Sequence, residues 1–441
     1  MSWFNFFTTK DTQKIQSFGR GINADLCKDE EELFNKSYEA FEKKDILDGY
    51  EYFFKSLENF SNGISNENII LKREDSKLYF ELYQGTAKIT GYTTQEHLYA
   101  ESTLCQKKSA NIALKRYILE RNYQLTYVYY FIDDDAFIKL KLTLDNMTMS
   151  PHKIFYPLRE LALNADFDKE YTRNEFIGIK LEDVSHLKES SQNELKIKYD
   201  FLHKWLHELR HKISTLPSND KAGMEAFAYL CLLFKIDYLL VPKYEIYQKM
   251  SKKIAEYFGD ENNTTEAKND ELKTYMDSLE NMTFKEFCTN FYEAKYTFNP
   301  TERTSYEEIN TFITDAMAKI RWYKNSRYVQ IIPTIYEYIS FNILYNFGIH
   351  QVLKELLQIA IEVQNPDFFE AYGYPVLYNK AENTFSKKLI ISQIQEIIAP
   401  HKEHFKSLEP FGENLNFSSL NEFSNSFYLQ IIELDFEDIQ S

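Results

Sequence analysis

The chain has 441 residues, a formal charge of −16, 44% hydrophobic residues and 12 glycines. That length exceeds one ordinary core, so two or three domains are expected. Sparse glycine, with neither GxGxxG nor GxxxxGKS/T present, argues against phosphate-cradling nucleotide enzymes, and the negative charge, with no run of five basic residues, argues against nucleic acid as a partner.

Residues 1–25 show little periodicity. Between 31 and 60 apolar residues recur at helical spacing: Leu33, Tyr38 and Phe41, then Ile46, Tyr50, Phe53, Phe54, Leu57 and Phe60. The break at Lys43-Lys44-Asp45 predicts a helical hairpin, and no second copy of it supports a solenoid. The period then falls to two. Leu78, Phe80 and Leu82 alternate with Tyr79, Glu81 and Tyr83; Ala87, Ile89 and Gly91 with Lys88, Thr90 and Tyr92; Leu98, Ala100, Ser102 and Leu104 with Tyr99, Glu101 and Thr103. These are three antiparallel strands, with a possible shorter one at 69–72. A helix is expected over 109–122 with Ser109 as N-cap. Strands at 125–132 and 136–144 follow, joined by Asp133-Asp134-Asp135, a solvated turn rather than a calcium loop. Ser150-Pro151 opens a helix to about Asn164.

The polar stretch 180–193 suggests an interdomain segment. Helices are then expected at 199–214, 222–240, 243–258, 284–295, 307–323, 331–347, 351–362 and 385–398. Segment 261–270, ENNTTEAKND, reads as a mobile loop and the acidic end ELDFEDIQS as a frayed tail. The fold class is therefore α+β: an antiparallel sheet in α-βββ-α-ββ-α order, followed by a large all-α region. The expected domains are a hairpin at 1–60, a sheet domain at 61–172 and a helical domain at 173–441.

The rhythm of residues 110–163, ANIALKRYILERNYQLTYVYYFIDDDAFIKLKLTLDNMTMSPHKIFYPLRELAL, is helix, strand, acidic turn, strand, polar loop and Ser-Pro helix start. With its flanks, segment 46–170 resembles the YbjN-type fold shared with class I type III secretion chaperones. That resemblance implies binding of a peptide or partner protein without ATP.

Cys27, Cys105, Cys231 and Cys288 lie far apart with no CxxC, as expected of thiols in a reducing compartment. MSWFNFFTTKDTQ has no basic stretch followed by an apolar core, so no secretory signal is expected. The longest apolar stretch, 226–241, is broken by Lys235 and Asp237 and falls short of the roughly 18 residues of a membrane span. Cytoplasmic residence without membrane insertion is the resulting expectation.

Two constellations carry chemistry. His207-Glu208-Leu209-Arg210-His211 is a literal HExxH: two imidazoles one helical turn apart can hold zinc while the glutamate activates water. His203 lies on the same face and Glu225 is the downstream carboxylate available as a third ligand. Charged Arg210 and Lys212 oppose a cation there. The favoured reading is an amphipathic helix with Phe201, Leu202, Trp205, Leu209 and Ile213 inward and no metal or other cofactor, with a zinc peptidase using His207, Glu208 and His211 as the alternative. No GxSxG elbow occurs.

The second constellation is the sheet. Leu78, Phe80, Leu82, Ile89, Leu98, Leu104, Ile138, Leu140 and Leu142 form one apolar face. The opposite face carries Tyr79, Tyr83, Lys88, Tyr92, Tyr99, Phe137, Lys139 and Lys141. Tyrosine offers large contact area at low entropy cost. Tyr79, Tyr83, Tyr92, Tyr99, Phe137 and Lys139 are therefore the expected peptide-binding residues. The competing expectation is that the C-terminal helices bury this face. The aromatic helices from Trp322 to Phe369 are read as core. The expected function is a non-enzymatic, chaperone-like or assembly-adaptor protein whose partner is another protein or peptide, with an oligomer allowed.

Overall fold

The computed structural model describes residues 18–19, 28–61, 64–402 and 405–438. Most of segment 1–25, and Cys27, lie outside the described residues.

Helices α1 (Lys28–Glu42) and α2 (Ile46–Ser56) form the expected hairpin. Lys44 takes a positive φ in its turn, and the helices cross closely because Gly49 has no side chain: a Cβ there would lie 2.9 Å from the Phe41 ring. Ser37 Oγ donates to Gly49 O at 2.7 Å across the crossing. Tyr50, Phe53 and Phe54 of α2 are fully buried and belong to the same core as the sheet.

The sheet has six strands: β1 (Ile69–Glu74), β2 (Lys77–Gln84), β3 (Ala87–Thr93), β4 (His97–Gln106), β5 (Tyr129–Ile132) and β6 (Phe137–Asp145). All neighbours are antiparallel, in the order β1-β2-β3-β4-β6-β5. The short strand at 69–72 is thus real, and the tight connections enforce antiparallel pairing. Leu78, Phe80, Leu82, Ile89, Leu98, Leu140 and Leu142 are buried on one face, beneath α2, α3 (Ile112–Gln124) and α4 (Pro151–Glu175). Phe54 lies 4.3 Å, ring to ring, from Phe80. By area alone, each such large side chain contributes about 1.5–3 kcal/mol.

Two helix boundaries differ from expectation. The N-cap of α3 is Asn111, whose side chain accepts from Leu114 N at 2.8 Å, while Ser109 Oγ turns back to Gln106 O. Helix α4 starts at Ser150-Pro151 as read but runs eleven residues past Asn164, to Glu175. Its second half carries buried or half-buried charged residues that find partners only in three dimensions: Asp166, half-buried, with Thr86, and the buried Asp168 with Arg121 and Glu170 with Tyr292.

The rest of the chain is mainly helical, with α5 (Gln192–Thr215), α6 (Lys221–Lys235), α7 (Tyr244–Gly259), α8 (Thr265–Glu280), α9 (Phe284–Cys288), α10 (Tyr306–Asn325), α11 (Ile332–Asn346), α12 (Gln351–Gln364), α13 (Pro366–Ala371), α14 (Lys387–Ile398) and α15 (Leu420–Glu433), and two short strand pairs among them. They build two cores, one around α5–α8 and one around α10–α15, both reached by α6 and α11. Among the described residues no helix is long and apolar enough to cross a membrane.

Three local expectations in this half are corrected. The stretch 261–270 enters α8: Thr264 caps it by accepting from Ala267 N, and the apolar stripe that seats the helix, Leu272, Tyr275, Met276 and Leu279, lies beyond the polar turn. Residues 435–438 are a strand paired with Phe405–Ser407 rather than a frayed tail. The helix expected at 284–295 stops at Cys288. The chain beyond it becomes a strap along the end of the sheet. Gln84 Oε1 accepts from Thr297 N and Phe298 N at 3.0 and 2.8 Å, Thr297 Oγ1 donates to Tyr83 O, and Gly85 N donates to Lys295 O. Those bonds satisfy backbone groups that a helix would otherwise pair, and Phe298 plugs into the sheet core against Phe155.

Candidate functional site: the outer face of the sheet

Among the described residues, helices cover only one face of the sheet. On the other, the pairing register aligns Lys72, Tyr79, Tyr92, Tyr99 and Thr143 in one row across five strands. Directly opposed residues on one face bring their side chains together. The rings accordingly form a ladder: Tyr79 to Tyr92 at 6.2 Å, and Tyr92 stacked on Tyr99 at 5.7 Å with 27° between planes. The Lys77 ammonium sits 4.8 Å from the Tyr92 ring centre. Tyr79, Tyr92, Tyr99 and Phe137 are all half-buried, reachable at their edges and held at their bodies.

The next row runs Ile70, Glu81, Thr90, Glu101, Lys141, Tyr129. Its charges pair locally. Glu81 binds Lys88 at 2.9 Å, which holds the Glu81 carboxyl below its ordinary range against the opposing effect of burial. Lys139 binds Glu101 at 2.6 Å and Asp133 at 2.9 Å. Burial works against its charge, but these two bonds keep the ammonium above its usual value. The Tyr99 hydroxyl donates to Glu101, and burial together with that carboxylate raises the phenol well above its normal range. Lys141 lies over both Tyr129 and Phe131, at 4.9 and 4.5 Å. The result is a face of preset aromatic rings with their charges already tied down.

Of the six residues singled out from sequence, five share this face as open positions: Tyr79, Tyr92, Tyr99, Phe137 and Lys139. Tyr83 does not. It is only 8% exposed, closed over by His186 (rings 5.0 Å apart) and the Lys295 ammonium, and burial pushes its phenol up to about 12. The strap that covers it was not legible, because its anchor, Gln84, is over two hundred residues away in sequence. Sequence reading missed Tyr129 and Phe131 as members of the face. The alternation of Tyr129 and Phe131 with Val128 and Tyr130, both buried, was the available signal. The expectation that the C-terminal helices bury this face is not met among the described residues: its one closed corner, at Tyr83, is covered by the non-helical segments that carry His186 and Lys295.

The two sheet edges are guarded against a further strand in different ways. At β5 the side-chain amide of Asn122 takes the place of a neighbouring strand: it accepts from Tyr130 N at 2.6 Å and donates to Tyr130 O at 3.0 Å. At β1, Lys72 and Arg73 are exposed, and Arg73 is tied to Asp48 and Glu51 of α2.

HELRH lies in α5, capped by Ser191, with Leu202, Trp205, Leu206 and Leu209 inward. His207, Glu208 and His211 point to solvent. Arg210 is drawn to Asp277 (2.8 Å) and to Glu280, and Lys212 donates to Thr334. Glu225 faces Lys221 at 3.5 Å. Among the described residues no group of three or more His, Cys, Asp or Glu is placed to hold a metal ion, so Glu225 does not complete a zinc set with the two histidines.

No protein-family model matches this chain, and no curated protein matches it.

Proposed function

We propose that the protein is a non-enzymatic binding protein, chaperone-like or an assembly adaptor, which holds a peptide or a partner protein across the outer face of its sheet. The observation that carries this reading is the Tyr79–Tyr92–Tyr99 ladder: three aligned rings that none of the described helices covers. Water-facing sheet positions ordinarily carry polar side chains. Rings fixed by stacking lose little freedom on binding, and the Tyr99 hydroxyl is itself held by Glu101, which presets the ring further.

The closed β5 edge directs the mode of binding. Asn122 already occupies the N–H and C=O of Tyr130, in the middle of the edge that an added strand would use, which favours a partner lying over the face. The resemblance of segment 46–170 to the YbjN and type III secretion chaperone fold supports the same reading. The test is replacement of Tyr92 and Tyr99 by serine, which keeps the strands and removes two rings of the ladder; binding of a partner should then be lost while the sheet stays folded.

A further inference from the structure

A second aromatic site lies in the helical half, and the chain itself occupies it. Phe18 is only 6% exposed, although its sequence neighbourhood shows no periodic pattern. Five rings surround it: Phe369 at 5.3 Å, Tyr374 at 6.0 Å, Phe368 at 6.1 Å, Tyr372 at 6.2 Å and Tyr238 at 6.3 Å. The cage is built by two local devices. Helix α13 starts with Pro366 and ends where Gly373 turns at φ +81, with Tyr374 N donating to Phe369 O and Gly373 N to Glu370 O. That stop folds Tyr372 and Tyr374 back beside Phe368 and Phe369.

The second device is the end of α6. Residues Ile236–Leu240 form a π-helical turn. The position four after Tyr238 is Pro242, which has no N–H, and the N–H of Lys243 is given to Asn290 O. The carbonyl of Tyr238 is therefore left for another donor, and Gly19 N takes it at 2.9 Å. Gly19 has φ +77, and a Cβ there would lie 3.0 Å from the Tyr238 ring. The cage thus reads two residues in order. It takes an aromatic ring by five edges and faces, and it requires a glycine next by backbone handedness, close approach and one hydrogen bond. π-turns occur often at functional sites.

We propose that this cage is a recognition site for a Phe–Gly step, filled in cis by the chain's own Phe18–Gly19 and open to the same step presented in trans. A segment of the same chain competes intramolecularly with any peptide added from outside, so the intact chain masks the site. Removing the plug exposes it. This inference rests on the helical half and is independent of the sheet face.

The test uses the full-length chain carrying Phe18→Ala and a labelled synthetic peptide of residues 14–23, KIQSFGRGIN. Binding is read by fluorescence anisotropy. Phe18→Ala should bind the peptide at least about tenfold more tightly than the intact chain. Peptides with alanine in place of either the phenylalanine or the glycine should not bind. A mixed dimer between Phe18→Ala and an intact chain is the same recognition supplied by a second copy, and it supports the inference. Should Phe18→Ala fail to fold, Gly19→Ala empties the cage with a smaller change and is read in the same way. A folded variant that binds the peptide no better than the intact chain, or that binds the alanine peptides equally well, overturns it.

Discussion

Asp168→Ala should be among the most damaging single substitutions in the sheet half. Asp168 has no solvent exposure. Its carboxylate accepts from Arg121 Nε at 2.8 Å, from the Tyr117 hydroxyl at 2.5 Å and from the Tyr130 hydroxyl at 2.8 Å. Burial raises its pKa, and the Arg121 charge and these hydrogen bonds oppose that rise. Alanine removes the carboxylate partner of a guanidinium that is only 12% exposed and keeps only neutral partners, Gln124 and Asn164, and it strands two tyrosine hydroxyls. Breaking a buried pair from one side costs about 3–5 kcal/mol, and the slight exposure of Arg121 places this case near the lower figure. Asp168→Asn keeps an acceptor for the tyrosines and should cost roughly half as much. The assay must report on the sheet. Trp205 and Trp322 lie in the helical half and no tryptophan lies between residues 28 and 181, so tryptophan fluorescence is blind to it. Amide exchange of the β5 and β6 strands is the suitable readout, and a loss of about 3 kcal/mol accelerates it roughly a hundredfold. A shift under about 1 kcal/mol, the size of an exposed ion pair, would refute the claim that this cluster locks α3, α4 and β5 together.

Asp166 provides a pH prediction. Burial, reinforced by the nearby Glu170 charge, pushes its carboxyl from 3.8 up to about 7. An acid raised on folding favours the fold fully below its ordinary value and loses that contribution as pH rises through the folded one, so the penalty develops between about pH 4 and 7. Asp166→Asn should flatten the pH dependence of sheet stability over that window; an unchanged profile would count against the assignment. At HELRH, zinc measured by elemental analysis after exhaustive dialysis should stay far below one per chain. Near-stoichiometric zinc that is lost on His211→Ala would instead promote the peptidase reading, and Glu208→Gln should then abolish hydrolysis with the metal retained.

The sheet was legible because covering helices bury one face and water meets the other, which leaves a period of two in β2, β3, β4 and β6. The shared face of Tyr79, Tyr92 and Tyr99 followed from the same alternation; their alignment in one row is set by the strand register. What escaped depends on remote partners. The spacing over 284–295 is helix-like, but beyond Cys288 the backbone groups of the strap are claimed by Gln84 and Gly85. The second half of α4 looks too polar to pack until Arg121, Thr86 and Tyr292 are placed beside it. Phe18 and Gly19 gave no periodic signal; the cues were on the receiving side, in Pro242 four residues after Tyr238 and in the aromatic run from Phe368 to Tyr374.

The central claim is that the outer face of the sheet holds a protein partner, and a binding titration on that face tests it most directly. Proteins retained by the intact chain from a lysate of its own cells would be identified, and the leading one purified and titrated against the intact chain and against Tyr92→Ser/Tyr99→Ser. Amide exchange would verify that the double variant keeps its sheet. Buried aromatic anchors are worth about 2 kcal/mol each at an interface, so the double variant should bind at least about a hundredfold more weakly. Equal affinity for a folded double variant, or no specifically retained protein at all, would contradict the account.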